Sequence, residues 1–190
     1  MSENSAVKER PLSYFVVSLT RAAIVVVTGL VITFNQDHGA LFGLVALGIM
    51  ATVNGVGLAL LAWGLPPRDS SRGLHLWQAL VSLAVGVLVL ALSHGGIVLL
   101  LWAIVFWALL TGVAEVFAGW RLAKGSALRR DWIVQGSITV LLALMVMTQS
   151  GDSVAVVGFL GSWAIVLGVY LAIAGISQRS APSLQREVEQ

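Results

Sequence analysis

Ile97-Val-Leu-Leu-Leu-Trp-Ala-Ile-Val-Phe-Trp-Ala-Leu-Leu-Thr-Gly-Val-Ala-Glu-Val-Phe-Ala-Gly-Trp-Arg-Leu122 holds one charge, Glu115, before it reaches Arg121. At 1.5 Å of rise per residue, about 20 apolar residues cross the hydrocarbon core of a bilayer. The stretch therefore predicts a transmembrane helix, and it raises the question of why that helix keeps a carboxylate.

Five further stretches read the same way: about Tyr14–Phe34, Ala40–Leu65, Leu74–Ser93, Trp132–Thr148 and Val154–Ser177. The composition agrees. Of the 190 residues, 58% are hydrophobic and 11% charged, and the mean hydropathy is +0.93. Such a chain has too little polar surface to face water on all sides. The expected fold class is all-α: a polytopic membrane protein with six spans. The expected organisation is a cytoplasmic segment at 1–13, a transmembrane domain at 14–178 and a charged, disordered tail at 179–190. Lys8 and Arg10 precede the first apolar run, but no clear small-x-small cleavage site follows it, so the run reads as a span. With no cysteine there is no disulfide or thiol chemistry.

The breaks between spans alternate. Asn35–Gly39, Ser93–Gly96 and Gln149–Asp152 are tight and carry no Lys or Arg. Pro66–Gly73 and Ala123–Asp131 are longer and charged. All eleven basic residues lie at the end of the spans opposite the tight turns. By the positive-inside rule that end is cytoplasmic, together with both termini. Trp63, Trp77, Trp120 and Trp132 lie toward the same end, where indole rings favour the interface. Trp102, Trp107 and Trp163 sit deeper.

The chain repeats itself. His38-Gly39, His94-Gly95 and Ser150-Gly151 recur 56 residues apart, as do Trp107 and Trp163. Asn54–Trp63, Thr111–Trp120 and Leu167–Ile176 align without gaps; Trp77 matches Trp132 and Gly29 matches Gly86. A fixed period marks a repeated supersecondary unit. Here it is a two-helix hairpin used three times, about 14–65, 74–122 and 132–177. Gly48 and Gly55 are seven apart, as are Gly112 and Gly119, and Gly161, Gly168 and Gly175. That spacing holds them on one helical face, where small residues let helices approach closely in lipid.

Three hairpins, tight outer turns, glycine pairs in each span and a bare charged tail resemble the HdeD acid-resistance membrane protein family, over roughly residues 20–178. Members commonly carry proline in the outer turns, where this chain has His-Gly and Ser-Gly. The resemblance implies a non-enzymatic protein of the bacterial inner membrane linked to acid stress. It implies no catalytic residue.

In the repeat, Glu115 corresponds to Leu58 and Leu171, so only the middle hairpin has a charge there. It shares the small face with Thr111, Gly112 and Gly119, and so points toward another helix. Six residues before Arg121, it lies about 9 Å deeper by helical rise. Arg21 is the expected partner; the repeat sets it with Gln78 and Ile133. Asn54, Gln78 and Gln135 are alternative hydrogen-bond donors. Three roles fit Glu115: a tie between hairpins, a protonatable site for transport or pH sensing, or a side chain that snorkels to the interface.

His38 and His94 occupy equivalent outer turns near Asp37 and Asp152, and histidine gains charge near pH 6.5. They are candidate pH sensors. No metal or cofactor motif, nucleophile elbow or phosphate-binding loop is present, and His75 reads as interfacial. Arg121, Lys124, Arg129 and Arg130 form a short basic cluster suited to anionic lipid headgroups rather than nucleic acid. The expected partners are membrane lipids, with a second copy or another membrane protein docking on the glycine faces. The rival functions are a small proton-coupled transporter or channel centred on Glu115, and an accessory subunit of a larger membrane complex.

Overall fold

A computed structural model describes the backbone of residues 3–188 apart from 68, 70, 125 and 150, and the side chains of 15–177 apart from those four and 127. Six helices occur among the described residues: α1 Glu3–Phe34, α2 Ala40–Gly64, α3 Arg72–Ala91, α4 Gly96–Arg121, α5 Ala127–Met147 and α6 Ser153–Val188. Each contains a segment long and apolar enough to cross a membrane. The chain is an all-α polytopic membrane protein.

Local chemistry sets the helix ends. Pro66 and Pro67 follow α2 and cannot continue it. Gly96 and Gly151, in two of the tight turns, have φ of +68° and +95°, which side-chain-bearing residues rarely adopt. The Asp152 carboxylate accepts from the N–H groups of Val154 and Ala155 and caps α6. Residues 127–131, read from their charge as loop, instead open α5. The Ser126 hydroxyl accepts from the Arg129 N–H at 3.1 Å and starts the helix there. At the far end, α6 runs as helix to Val188, into the stretch whose composition reads as a disordered tail. No glycine lies between Ser177 and Val188 to interrupt the helix there, although Pro182 withdraws one backbone donor.

The bundle turns its grease outward. Leu60, Leu80, Val98, Phe106 and Ile173 are each more than half exposed. The buried set includes Ser18, Asn54, His75, Gln78, Ser82, Thr111, Glu115, Asp131, Gln135 and Thr139. This suits a protein solvated by lipid, where polar side chains gain by facing one another.

The tightest seams do not lie within the hairpins. They join α2 to α3, α4 to α5 and α6 to α1, so each hairpin docks on the next and the third closes on the first. The even helices also touch one another across the centre, whereas no two odd helices meet among the described residues. Glycine makes the seams. A Cβ added at Gly48, Gly55, Gly112, Gly119, Gly161, Gly168 or Gly175 falls within 3.2 Å of the facing helix. At Gly55 it meets the Leu83 nitrogen at 2.9 Å, at Gly112 the Gly136 carbonyl at 2.9 Å, and at Gly168 the Val26 nitrogen at 3.1 Å. A methyl group at Gly55, Gly112 or Gly168 would force the facing backbone to shift. The helices gain dispersion contact there that lipid chains cannot reach.

Candidate functional site

Helices α1 to α5 bring polar side chains to one layer about two turns in from the basic end, and Leu167 of α6 closes it. Its centre is Glu115 on α4, only 1% exposed. One carboxylate oxygen, Oε1, accepts from Arg21 Nη2 of α1 at 2.9 Å and from Gln78 Nε2 of α3 at 2.6 Å. A second guanidinium nitrogen of Arg21, Nη1, donates to Gln135 Oε1 of α5 at 3.4 Å. Arg21 thus ties the first hairpin to the second and third through one side chain.

The geometry revises the repeat. Arg21, Gln78 and Gln135 stand 57 residues apart in succession and occupy equivalent places, so Gln135 takes the position that the sequence alignment gave to Ile133. The misleading pair was Trp77 and Trp132. Trp77 is 44% exposed, whereas Trp132 is 3% exposed and meets the His75 ring edge-on at 6.3 Å. Trp132 and His75 are therefore buried packing residues, not interfacial ones. The 57-residue spacing sets Ser18, His75 and Trp132 at equivalent places, and all three are buried.

One turn further in, the layer repeats a second motif. Trp107 Nε1 donates to Ser82 Oγ at 3.1 Å, and Trp163 Nε1 to Thr139 Oγ1 at 3.4 Å. The two indoles stack edge-to-face with centroids 5.2 Å apart, a geometry the aromatic quadrupole favours. In the first hairpin Met50 and Val25 fill the equivalent places.

A cavity lies between these layers, lined by Arg21, Asn54, Gln78, Thr111, Glu115 and the two tryptophans among others. It leaves about 10 Å³ for the centre of a water molecule, room for about one. Arg21 Nε and Asn54 Oδ1 have no hydrogen-bond partner among the described residues. Thr111 does not reach Glu115; its hydroxyl donates to the Trp107 carbonyl one turn back, at 2.7 Å.

The other sites stand apart from this layer. In the tight turns, the Asp37 carboxylate accepts from the Gly39 N–H at 2.7 Å, and Asp152 caps α6. His38 meets Phe42 edge-on and His94 is exposed. No ion pair joins either histidine to these aspartates among the described residues. At the basic end, Arg129 Nη1 donates to the Leu122 carbonyl at 3.0 Å, closing the end of α4, and Arg130 stands 4.0 Å from Asp131. Arg121 lies over the Phe117 ring at 4.2 Å. The buried Asp131, read as the end of a loop, accepts from the Tyr170 hydroxyl of α6 at 3.1 Å. Among the described residues no group of three His, Cys, Asp or Glu could hold a metal ion.

Fold and site together define a class: a polytopic membrane bundle of three repeated hairpins closed into a ring around the largely buried Arg21–Glu115 ion pair. Comparison with protein-family models, curated proteins and solved structures returned no match.

Proposed function

We propose that the protein is a non-enzymatic, multi-pass protein of the bacterial inner membrane, with both termini cytoplasmic, that serves tolerance of acid stress through its bundle and its lipid or protein contacts. One observation supports this reading: the Arg21–Glu115 pair is enclosed by all six helices around a cavity with room for about one water. A charge pair so placed neutralises itself within the bundle and ties the hairpins, as a scaffold requires. The acid role comes from the resemblance to the HdeD family. Its test is deletion of the gene and complementation at native expression, scored as survival in acid medium. Unchanged survival on deletion removes the acid role.

A second reading is supported by a different observation. Arg21 Nε and Asn54 Oδ1 are unpartnered beside Glu115, as a hydrated proton site would leave them. Under that reading, proteoliposomes carry a pH-driven flux that Glu115→Gln abolishes. Parent vesicles no leakier than protein-free ones reject it. The accessory-subunit reading is tested by mild-detergent purification, in which a stoichiometric partner is retained.

A further inference from the structure

Two apolar grooves run along the outer face of the bundle on either side of Phe117. One lies between α3 and α4, lined by Trp77, Ala114 and Trp132 among others, with a volume of about 530 Å³. The other lies between α4 and α5, lined by Val116, Val140 and Leu144 among others, at about 570 Å³. Phe117 borders both. The second groove lies along the seam where Gly112 and Gly136 let α4 and α5 approach closely. Where the grooves approach the basic end, Arg121 extends over the Phe117 ring.

The charges around that point differ in availability. Arg129 is bound to the carbonyls of Trp120 and Leu122, and Arg130 lies beside Asp131. Arg121 lies over the Phe117 ring without a hydrogen bond or ion pair among the described residues, and Lys124 is exposed close by in sequence. The repeat makes the place singular. Gly64 and Ser177 stand where Arg121 does, and Leu60 and Ile173 where Phe117 does. Neither of the other two seams has a cation or an aromatic ridge at these positions.

We propose that this corner binds one anionic, two-chain phospholipid: an acyl chain in each groove, Phe117 between them, and the phosphate on Arg121 with Lys124 beside it. The chemistry matches on both counts. The grooves are open to the membrane and apolar, and a guanidinium presents several donors to phosphate oxygens. A zwitterionic lipid of the same chains fills the grooves equally but brings no net charge to Arg121. This refines the lipid role expected of Arg121, Lys124, Arg129 and Arg130 by separating the cation that meets the headgroup from those engaged in the fold. It does not depend on the acid-tolerance reading.

The test is native mass spectrometry of the full-length, delipidated protein in detergent, titrated with phosphatidylglycerol or with phosphatidylcholine of identical chains. The parent is expected to retain one phosphatidylglycerol in preference to phosphatidylcholine. Arg121→Ser, which copies the third hairpin, should lower phosphatidylglycerol affinity about fivefold, matching about 1 kcal/mol per basic residue near a surface. Phosphatidylcholine, whose phosphate is offset by its own choline cation, should lose less than phosphatidylglycerol. Phe117→Leu, which copies the first hairpin, should weaken both lipids. Thermal melts establish that each variant is folded. Equal retention of the two lipids by the parent overturns the proposal, as does unchanged phosphatidylglycerol binding in Arg121→Ser. Displacement of the lipid by inorganic phosphate would show a simple anion site and overturns it too.

Discussion

Arg21 Nη2 lies 2.9 Å from Glu115 Oε1, joining α1 to α4 across 94 positions of chain. Each residue replaces the uncharged one found at its equivalents: glutamine at 78 and 135, leucine at 58 and 171. The pair therefore breaks the threefold repeat in one place on each side. In a buried layer, neither charge is stable without the other.

That relationship predicts strong coupling. Glu115→Leu leaves a part-buried guanidinium without its counter-charge and should cost about 1–3 kcal/mol. Arg21→Gln strands the carboxylate, with a loss of similar size. The double variant carries at both places the residues of the other hairpins, and it should be much more stable than the sum of the single losses implies. Thermal unfolding in detergent measures all four proteins. Additive losses would reject the pair as the tie between hairpins.

The seams predict opposite signs for one substitution. Gly112→Ala sets a Cβ 2.9 Å from the Gly136 carbonyl, so α4 and α5 must part. A loss of about 1–3 kcal/mol is expected. Gly158→Ala, in α6 with nothing within 4 Å, should instead gain up to about 1 kcal/mol from helix propensity. The two melting temperatures, read side by side, check the assignment.

Orientation is open to direct labelling, because the chain has no cysteine. Gln36→Cys and Ala123→Cys are both at exposed positions, in breaks at opposite ends of the spans. A membrane-impermeant maleimide on intact cells should label the first alone. Labelling of the second alone would invert the topology.

Acid response, if it begins in the outer turns, has His38 and His94 to act through. Asp37 and Asp152 already accept from backbone N–H groups there, so the carboxylates of these turns are engaged in holding the backbone. The variant His38→Gln, His94→Gln should then survive acid less well than the parent at equal expression. Survival equal to the parent assigns any acid role to the bundle instead.

The sequence by itself determined the spans, their alternation and the segregation of basic residues to one end. These are local sums of hydropathy and charge, and each segment reports its own. It also pointed to Arg21 as the partner of Glu115, because two opposite charges at similar depth have few other neighbours. Only the tertiary structure decided that the tight seams lie between hairpins, that Gln78 and Gln135 complete the ion pair, and that His75, Asp131 and Trp132 are buried. The reason is the solvent. In water an apolar stripe marks the inner face of a helix. Here lipid accepts apolar side chains on every face, so composition does not say which side of a span turns inward. That choice rests on how the glycine faces of six helices meet around a common centre, which no single helix carries.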